Sequence, residues 1–211
     1  MAPRVLISDS LSPAAVQIFK DRGIEVDFQP NLGKDKDKLA ELIGNYDGLA
    51  IRSATKVTPK ILEKAKNLKV IGRAGTLPDK TFLPGLDIRY GAIVVDEEKL
   101  AYPGDILHEA GHIAVSEPEA RKAPTLAPTD GEEIATLAWS YAALRHLDLA
   151  PDIVFHPDGY KGGSQSLIEN FSAGCYLGVP LLQYYGLTVE PKFAAERGVE
   201  PFPHMLRWLR A

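Results

Sequence analysis

The chain has 211 residues, a length that allows one large domain or two small ones. Hydrophobic residues make up 45% and charged residues 25%, enough apolar material for a real core beneath an ordinary soluble surface. A formal net charge of −4 gives no reason to expect nucleic acid or an anionic membrane as a partner. The charge is unevenly spread. Residues 1–75 hold 13 Lys/Arg against 9 Asp/Glu, and the remainder holds 11 against 19. The change of sign fits two segments of separate origin, or a clustering of acidic loops. The single cysteine, Cys175, excludes a disulfide framework and a cysteine-built zinc cluster. Its flanks Ala173, Gly174, Tyr176 and Leu177 are small or apolar, which predicts a buried structural thiol. There is no apolar signal region and no run of roughly 18 apolar residues, so a cytoplasmic, soluble protein is expected. The expected partners are a small-molecule or peptide substrate and, as an option, further copies of the chain.

Residues 1–75 alternate strand and helix signals. Val5-Leu6-Ile7 reads as a strand, and Ser12-Pro13 as the cap and first turn of a helix that Gly23 ends. Val26 to Phe28 is a second strand, Asp37 to Ile43 a helix, and Tyr46 to Ile51 a third strand. Thr58-Pro59 opens a helix through Lys66, and Leu68 to Ile71 is a fourth strand. This alternation predicts a parallel α/β sheet, flavodoxin-like and incomplete.

The runs VLISDSLSPAAVQIFKDRGIEVDF, YDGLA and IRSATKVTPKILEKAKNLKVIGRAG carry a specific resemblance. Across residues 3–75 the chain resembles the N-terminal substrate domain of the D-3-phosphoglycerate dehydrogenases. The resemblance implies that Arg52 and Ser53, in the loop after the third strand, help to hold an anionic substrate. A guanidinium beside a hydroxyl at the C-terminal end of a parallel strand suits that task. After Gly75 the text departs from the family. No G-x-G-x-x-G follows a strand, and Gly162-Gly163 stand in KGGSQS without the spacing for a pyrophosphate. The expectation is a truncated segment, residues 1–75, with no NAD site.

Residues 76–211 are expected to form a second domain, α+β, mainly helical and zincin-like. Leu83-Pro84-Gly85 is a turn and Ala92 to Val95 a short strand that has the place of a fifth strand in the truncated sheet. Pro103 suits the first turn of a helix that carries His108-Glu109-Ala110-Gly111-His112. Two histidines four apart project from one helix face, so both imidazoles can reach a single Zn2+. Glu109 is then the candidate general base. The next helix supplies the third ligand, either Glu133 or Glu132, and Thr129 with Glu132 also reads as a capping box. His156 and Tyr160 are candidate donors to a developing oxyanion. The final stretch, PFPHMLRWLRA, predicts a short amphipathic helix docked on the body. Residues 76–190 resemble bacterial HExxH proteins of the gluzincin type with no assigned reaction. The leading expectation is a zinc-dependent, peptidase-like hydrolase. The alternative is a non-catalytic fusion, or an anion-binding module that uses Arg52 and Ser53.

Overall fold

The computed structural model describes residues 2–75, 77 and 81–211. In chain order its strands are β1 (Arg4–Ile7), β2 (Glu25–Phe28), β3 (Gly48–Ile51), β4 (Val70–Ala74), β5 (Leu86–Arg89) and β6 (Ala92–Val95). Its helices are α1 (Pro13–Asp21), α2 (Lys36–Leu42), α3 (Pro59–Lys64), α4 (Asp105–Val115), α5 (Asp130–His146), α6 (Pro151–Val154), α7 (Ser164–Ser172), α8 (Val179–Tyr184) and α9 (Pro191–Arg197). The chain divides into two compact units. One comprises Met1–Lys80 and Ala92–Lys99, the other Thr81–Gly91 and Leu100–Ala211. No helix among the described residues is long and apolar enough to cross a membrane.

The first unit is a parallel α/β sheet in the order β2-β1-β3-β4-β6. Its central strands are short apolar runs, as expected where both faces of a parallel sheet are covered. Val5 pairs with Val26 on one side and with Gly48 on the other, and Gly72 pairs with Ile93. The core gathers Leu6, Leu39, Ile43, Leu49, Ile51 and Ile61. Local signals start the helices. Ser12 Oγ accepts from the Ala15 amide ahead of Pro13, and Asp35 Oδ1 accepts from the Lys38 amide. The fourth strand starts later than its sequence suggests, at Val70. The Leu68 amide closes a turn onto Ala65, and the ladder begins only where Lys69 donates to the Asp47 carbonyl.

The second unit is mainly helical and is organised on α5, seventeen residues long. Thr129 caps it reciprocally with Glu132, the capping box read from the sequence. Ala135, Ala138, Ala142 and Leu144 point into a core completed by Phe155, Phe171, Leu182 and Phe202. Small residues along α5 let α4 pack closely against it. The chain's last stretch is not the helix expected. Pro201 and Pro203 carry no amide donor, and the donors that remain are used elsewhere: Phe202 bonds to the Val189 carbonyl and Leu206 to the Leu187 carbonyl. The tail does dock, because Trp139 Nε1 donates to the Trp208 carbonyl and the Arg210 amide to that of Ala114. Cys175 is exposed rather than buried. Gly174, at φ +80°, turns the chain at the end of α7, and the Cys175 amide folds back onto the Asn170 carbonyl, which leaves the thiol outside.

Candidate functional site

Two clusters of polar residues stand out, one in each unit. In the first unit, the chain leaves β1 through Ser8 and Asp9, both buried, and leaves β3 through Arg52 and Ser53, both exposed. Asp9 Oδ2 accepts from the backbone amides of Arg52 and Thr55, the latter at 3.1 Å. Ser8 Oγ and Thr55 Oγ1 are 2.8 Å apart. One buried carboxylate therefore fixes the loop Arg52–Thr55 at the C-terminal end of the parallel strands, where open α/β sheets place ligands. Gly33 closes over this tie. A Cβ there would lie 1.9 Å from Thr55 Oγ1 and 2.6 Å from Asp9 Oδ1, so no side chain fits. The Arg52 guanidinium reaches the Ser10 carbonyl at 3.4 Å and is otherwise in solvent. The sequence drew attention to Arg52 and Ser53 but not to Asp9 and Thr55, which hold them.

In the second unit, His108 and His112 lie on α4 and are buried. Their Nε2 atoms are 3.1 Å apart. Of the two candidate glutamates on α5, Glu133 faces them. Its oxygens lie 3.2 Å from His112 Nε2 and 3.6 Å from His108 Nε2. Glu132 bonds back to Thr129 and pairs with Arg210 at 3.7 Å, away from the histidines. Gly111 sets the approach of the two helices: a Cβ there would stand 2.8 Å from Thr136 Cγ2. Thr136 Oγ1 in turn lies 3.2 Å from His112 Nδ1. His108, His112 and Glu133 each present a ligand-type atom within 4.8 Å of the others, and this set could hold a metal ion.

Further polar groups surround the pair of histidines. His156 Nε2 is 3.0 Å from Asp105 Oδ1, and the Tyr102 ring stacks on its imidazole with centroids 3.8 Å apart. Tyr160 meets His108 edge to face at 5.6 Å. The Tyr160 hydroxyl and the Nδ1 atoms of His108 and His156 are buried, with no hydrogen-bond partner among the described residues. Burial pushes the Glu109 carboxyl up to about 7, against the opposing pull of His108 and with added repulsion from Glu133 and Asp105. Burial, and then the neighbouring His108, bring His112 down to about 4, so its ring is neutral near pH 7. Glu133 is held below the ordinary carboxylate range chiefly by its hydrogen bond with His108. Sequence reasoning missed Asp105, Tyr102 and Thr136. Asp105 had a signal, since it sits one helical turn ahead of His108 on the same face.

Comparison with known proteins bears on the first unit. Residues 5–79 match the family model of the D-isomer specific 2-hydroxyacid dehydrogenase catalytic domain. D-3-phosphoglycerate dehydrogenase from Sus scrofa is 44% identical over 93 residues, covering 44% of this chain and 17% of that protein. Its counterpart from Archaeoglobus fulgidus is 33% identical over 122 residues, covering 57% of this chain and 22% of that protein. The chain thus spans about a fifth of the length of these relatives. The PH0520 protein from Pyrococcus horikoshii OT3 aligns with a TM-score of 0.35 at 23% identity, over 53% of this chain and 31% of that one.

These findings overturn the expected zinc-dependent hydrolase, and zinc as its cofactor. The relatives are dehydrogenases, not zinc enzymes. The HEAGH spacing shows only that two imidazoles share a helix face. It identifies neither an ion nor a reaction. The N-terminal segment, residues 5–79, is 2-hydroxyacid-dehydrogenase-like.

Proposed function

We propose that the first unit is an anion-binding module derived from a 2-hydroxyacid dehydrogenase, and that Arg52 and Ser53 contact the phosphate or carboxylate of a small hydroxy acid. One observation carries the reading: Asp9 ties down the amides of Arg52 and Thr55, which presents the loop at the C-terminal ends of β1 and β3. A fixed loop lowers the ordering penalty when an anion binds. The Arg52 guanidinium offers a planar set of donors and the Ser53 hydroxyl a further one. The name of the relatives suggests 3-phosphoglycerate as the ligand to try first. In these 211 residues no G-x-G-x-x-G follows a strand, so the module is proposed to bind without transferring hydride.

Titration of the full chain with 3-phosphoglycerate, followed by backbone amide shifts, tests this. Saturable shifts at Arg52, Ser53 and Thr55 are expected. Arg52→Ala should weaken binding at least about tenfold, the loss of a charge-assisted contact worth roughly 1.5–3 kcal/mol. Equal affinity in the Arg52→Ala, Ser53→Ala double variant, or no shifts in the parent, would remove the proposal. The expected rate of NADH formation from 3-phosphoglycerate and NAD is that of a no-enzyme control.

A further inference from the structure

We propose that a cavity of about 350 Å³ in the second unit binds a small aromatic carboxylate. Its lining is Arg145, His146, Pro203, His204, Met205 and Trp208. It shares no residue with the Arg52 loop.

The charge of the lining points to an anion. Residues 76–211 hold 11 Lys/Arg against 19 Asp/Glu, yet three of the six lining residues are of basic type and none is acidic. The Arg145 guanidinium has no ion-pair or hydrogen-bond partner among the described residues. His204 pairs with Glu200 through Nδ1 at 3.1 Å, which leaves its Nε2 to a ligand. A guanidinium offers a carboxylate two parallel donors, and an imidazole adds another. The C-terminal dipole of α5 accounts for basic side chains at Arg145 and His146, in its last turn. It does not account for His204, which the tail brings to the same cavity.

The rest of the lining suits a flat ring. Trp208, Met205 and Pro203 present an indole, a thioether and a pyrrolidine, and aromatic rings pack well on the first two. Met205 is buried and Trp208 half-buried. Trp139 meets Trp208 edge to face at 5.5 Å and donates Nε1 to its carbonyl at 3.0 Å. The His146 ring stands 5.2 Å from the same indole. The tail is tied down on both sides of Met205. The Thr188 hydroxyl donates to the His204 carbonyl at 2.6 Å, and the Leu206 amide to the Leu187 carbonyl at 2.8 Å. A lining fixed before binding loses little freedom when a ligand arrives. Ligand sites run from about 300 to 1,000 Å³, so a cavity near the lower end takes one ring system with a short acidic arm.

The test is titration of the full chain with phenylacetate at constant ionic strength, followed by backbone amide shifts. Saturable shifts at Arg145, His146, His204, Met205 and Trp208 are expected, with a Kd of about 1 mM or below. 2-Phenylethanol keeps the ring without the charge and should bind at least about tenfold more weakly. Arg145→Gln changes an exposed side chain and should weaken phenylacetate binding about tenfold or more. His204→Gln should cause a smaller loss. The absence of saturable shifts at these residues up to about 10 mM phenylacetate overturns the proposal. Parental affinity in Arg145→Gln overturns it too, as does 2-phenylethanol binding as tightly as phenylacetate. Shifts confined to Arg52, Ser53 and Thr55 would assign the carboxylate to the anion site and count against this cavity.

Discussion

Thr136 Oγ1 stands 3.2 Å from Nδ1 of His112, so a hydroxyl on α5 orients a buried imidazole on α4. Thr136→Val keeps the shape and removes the partner. It should destabilise the fold by about 1–3 kcal/mol, because a buried nitrogen is left unmet. Thr136→Ser should restore most of the stability. Urea unfolding of the three chains checks this, and parental stability in the valine variant would show that the contact is incidental.

Two glycines on these helices should respond with opposite sign to the same change. Alanine at Gly111 gains up to about 1 kcal/mol of helix propensity. Its Cβ would lie 2.8 Å from Thr136 Cγ2 and 3.3 Å from both Ser140 Oγ and Trp139 Cε3, inside a packed interface. Overpacking outweighs the propensity gain, so Gly111→Ala should lose about 1–3 kcal/mol. At Gly131 the nearest atom to an added Cβ is Leu181 Cδ1 at 4.0 Å, an ordinary contact. Gly131→Ala should gain about 0.5–1 kcal/mol, through helix propensity and a less flexible unfolded chain. Urea midpoints that moved in the same direction would contradict the packing argument.

The sequence made legible whatever is local. Ser12 caps α1 three residues from its partner, Thr129 and Glu132 form their box within one turn, and His108 and His112 share a face because they are four apart. The strand and helix alternation of the first unit has the same character. The residues that position the candidate sites were not legible. Asp9 acts on Arg52 across 43 residues, Thr136 on His112 across 24, and Asp105 on His156 across 51. Such partners leave no periodic trace, and only the fold brings them together. The hydrolase expectation failed for another reason: a spacing constrains where side chains point, and many chemistries use the same geometry.

Asp9 offers a test of how the Arg52 loop is held. Its carboxylate is almost fully buried, at 1% exposure, and accepts two backbone amides. Asp9→Ala leaves both donors unmet and should lose about 2–3 kcal/mol. Asp9→Asn keeps one acceptor oxygen and should lose less. Hydrogen exchange of the Arg52 and Thr55 amides should quicken in both variants, more in the alanine chain. If their protection is unchanged, another group holds the loop, and preorganisation of Arg52 by Asp9 is wrong.

The last prediction concerns Glu109 and pH. Burial raises its carboxyl from an ordinary 4.5 to about 7 in the folded chain. Between these values the folded protein keeps a proton that the unfolded chain has released. The stability that Glu109 contributes is therefore full below about 4.5 and is lost as the pH rises through about 7. Glutamine resembles the protonated acid at every pH. The stability of Glu109→Gln relative to the parent should thus change little near pH 4.5 and grow towards pH 8, by on the order of 2–3 kcal/mol. His112 works in the opposite direction. Lowered to about 4, it loses stability as the pH falls from 6.5, because the unfolded chain gains a proton first. That contribution is common to both proteins and largely cancels in their difference. Unfolding by urea at pH 5, 6, 7 and 8, in buffer with a chelator so that both chains are metal-free, measures the difference directly. A gap that stays constant across this range would mean that Glu109 titrates as an ordinary surface carboxylate, and that the packing of α4 leaves it in water.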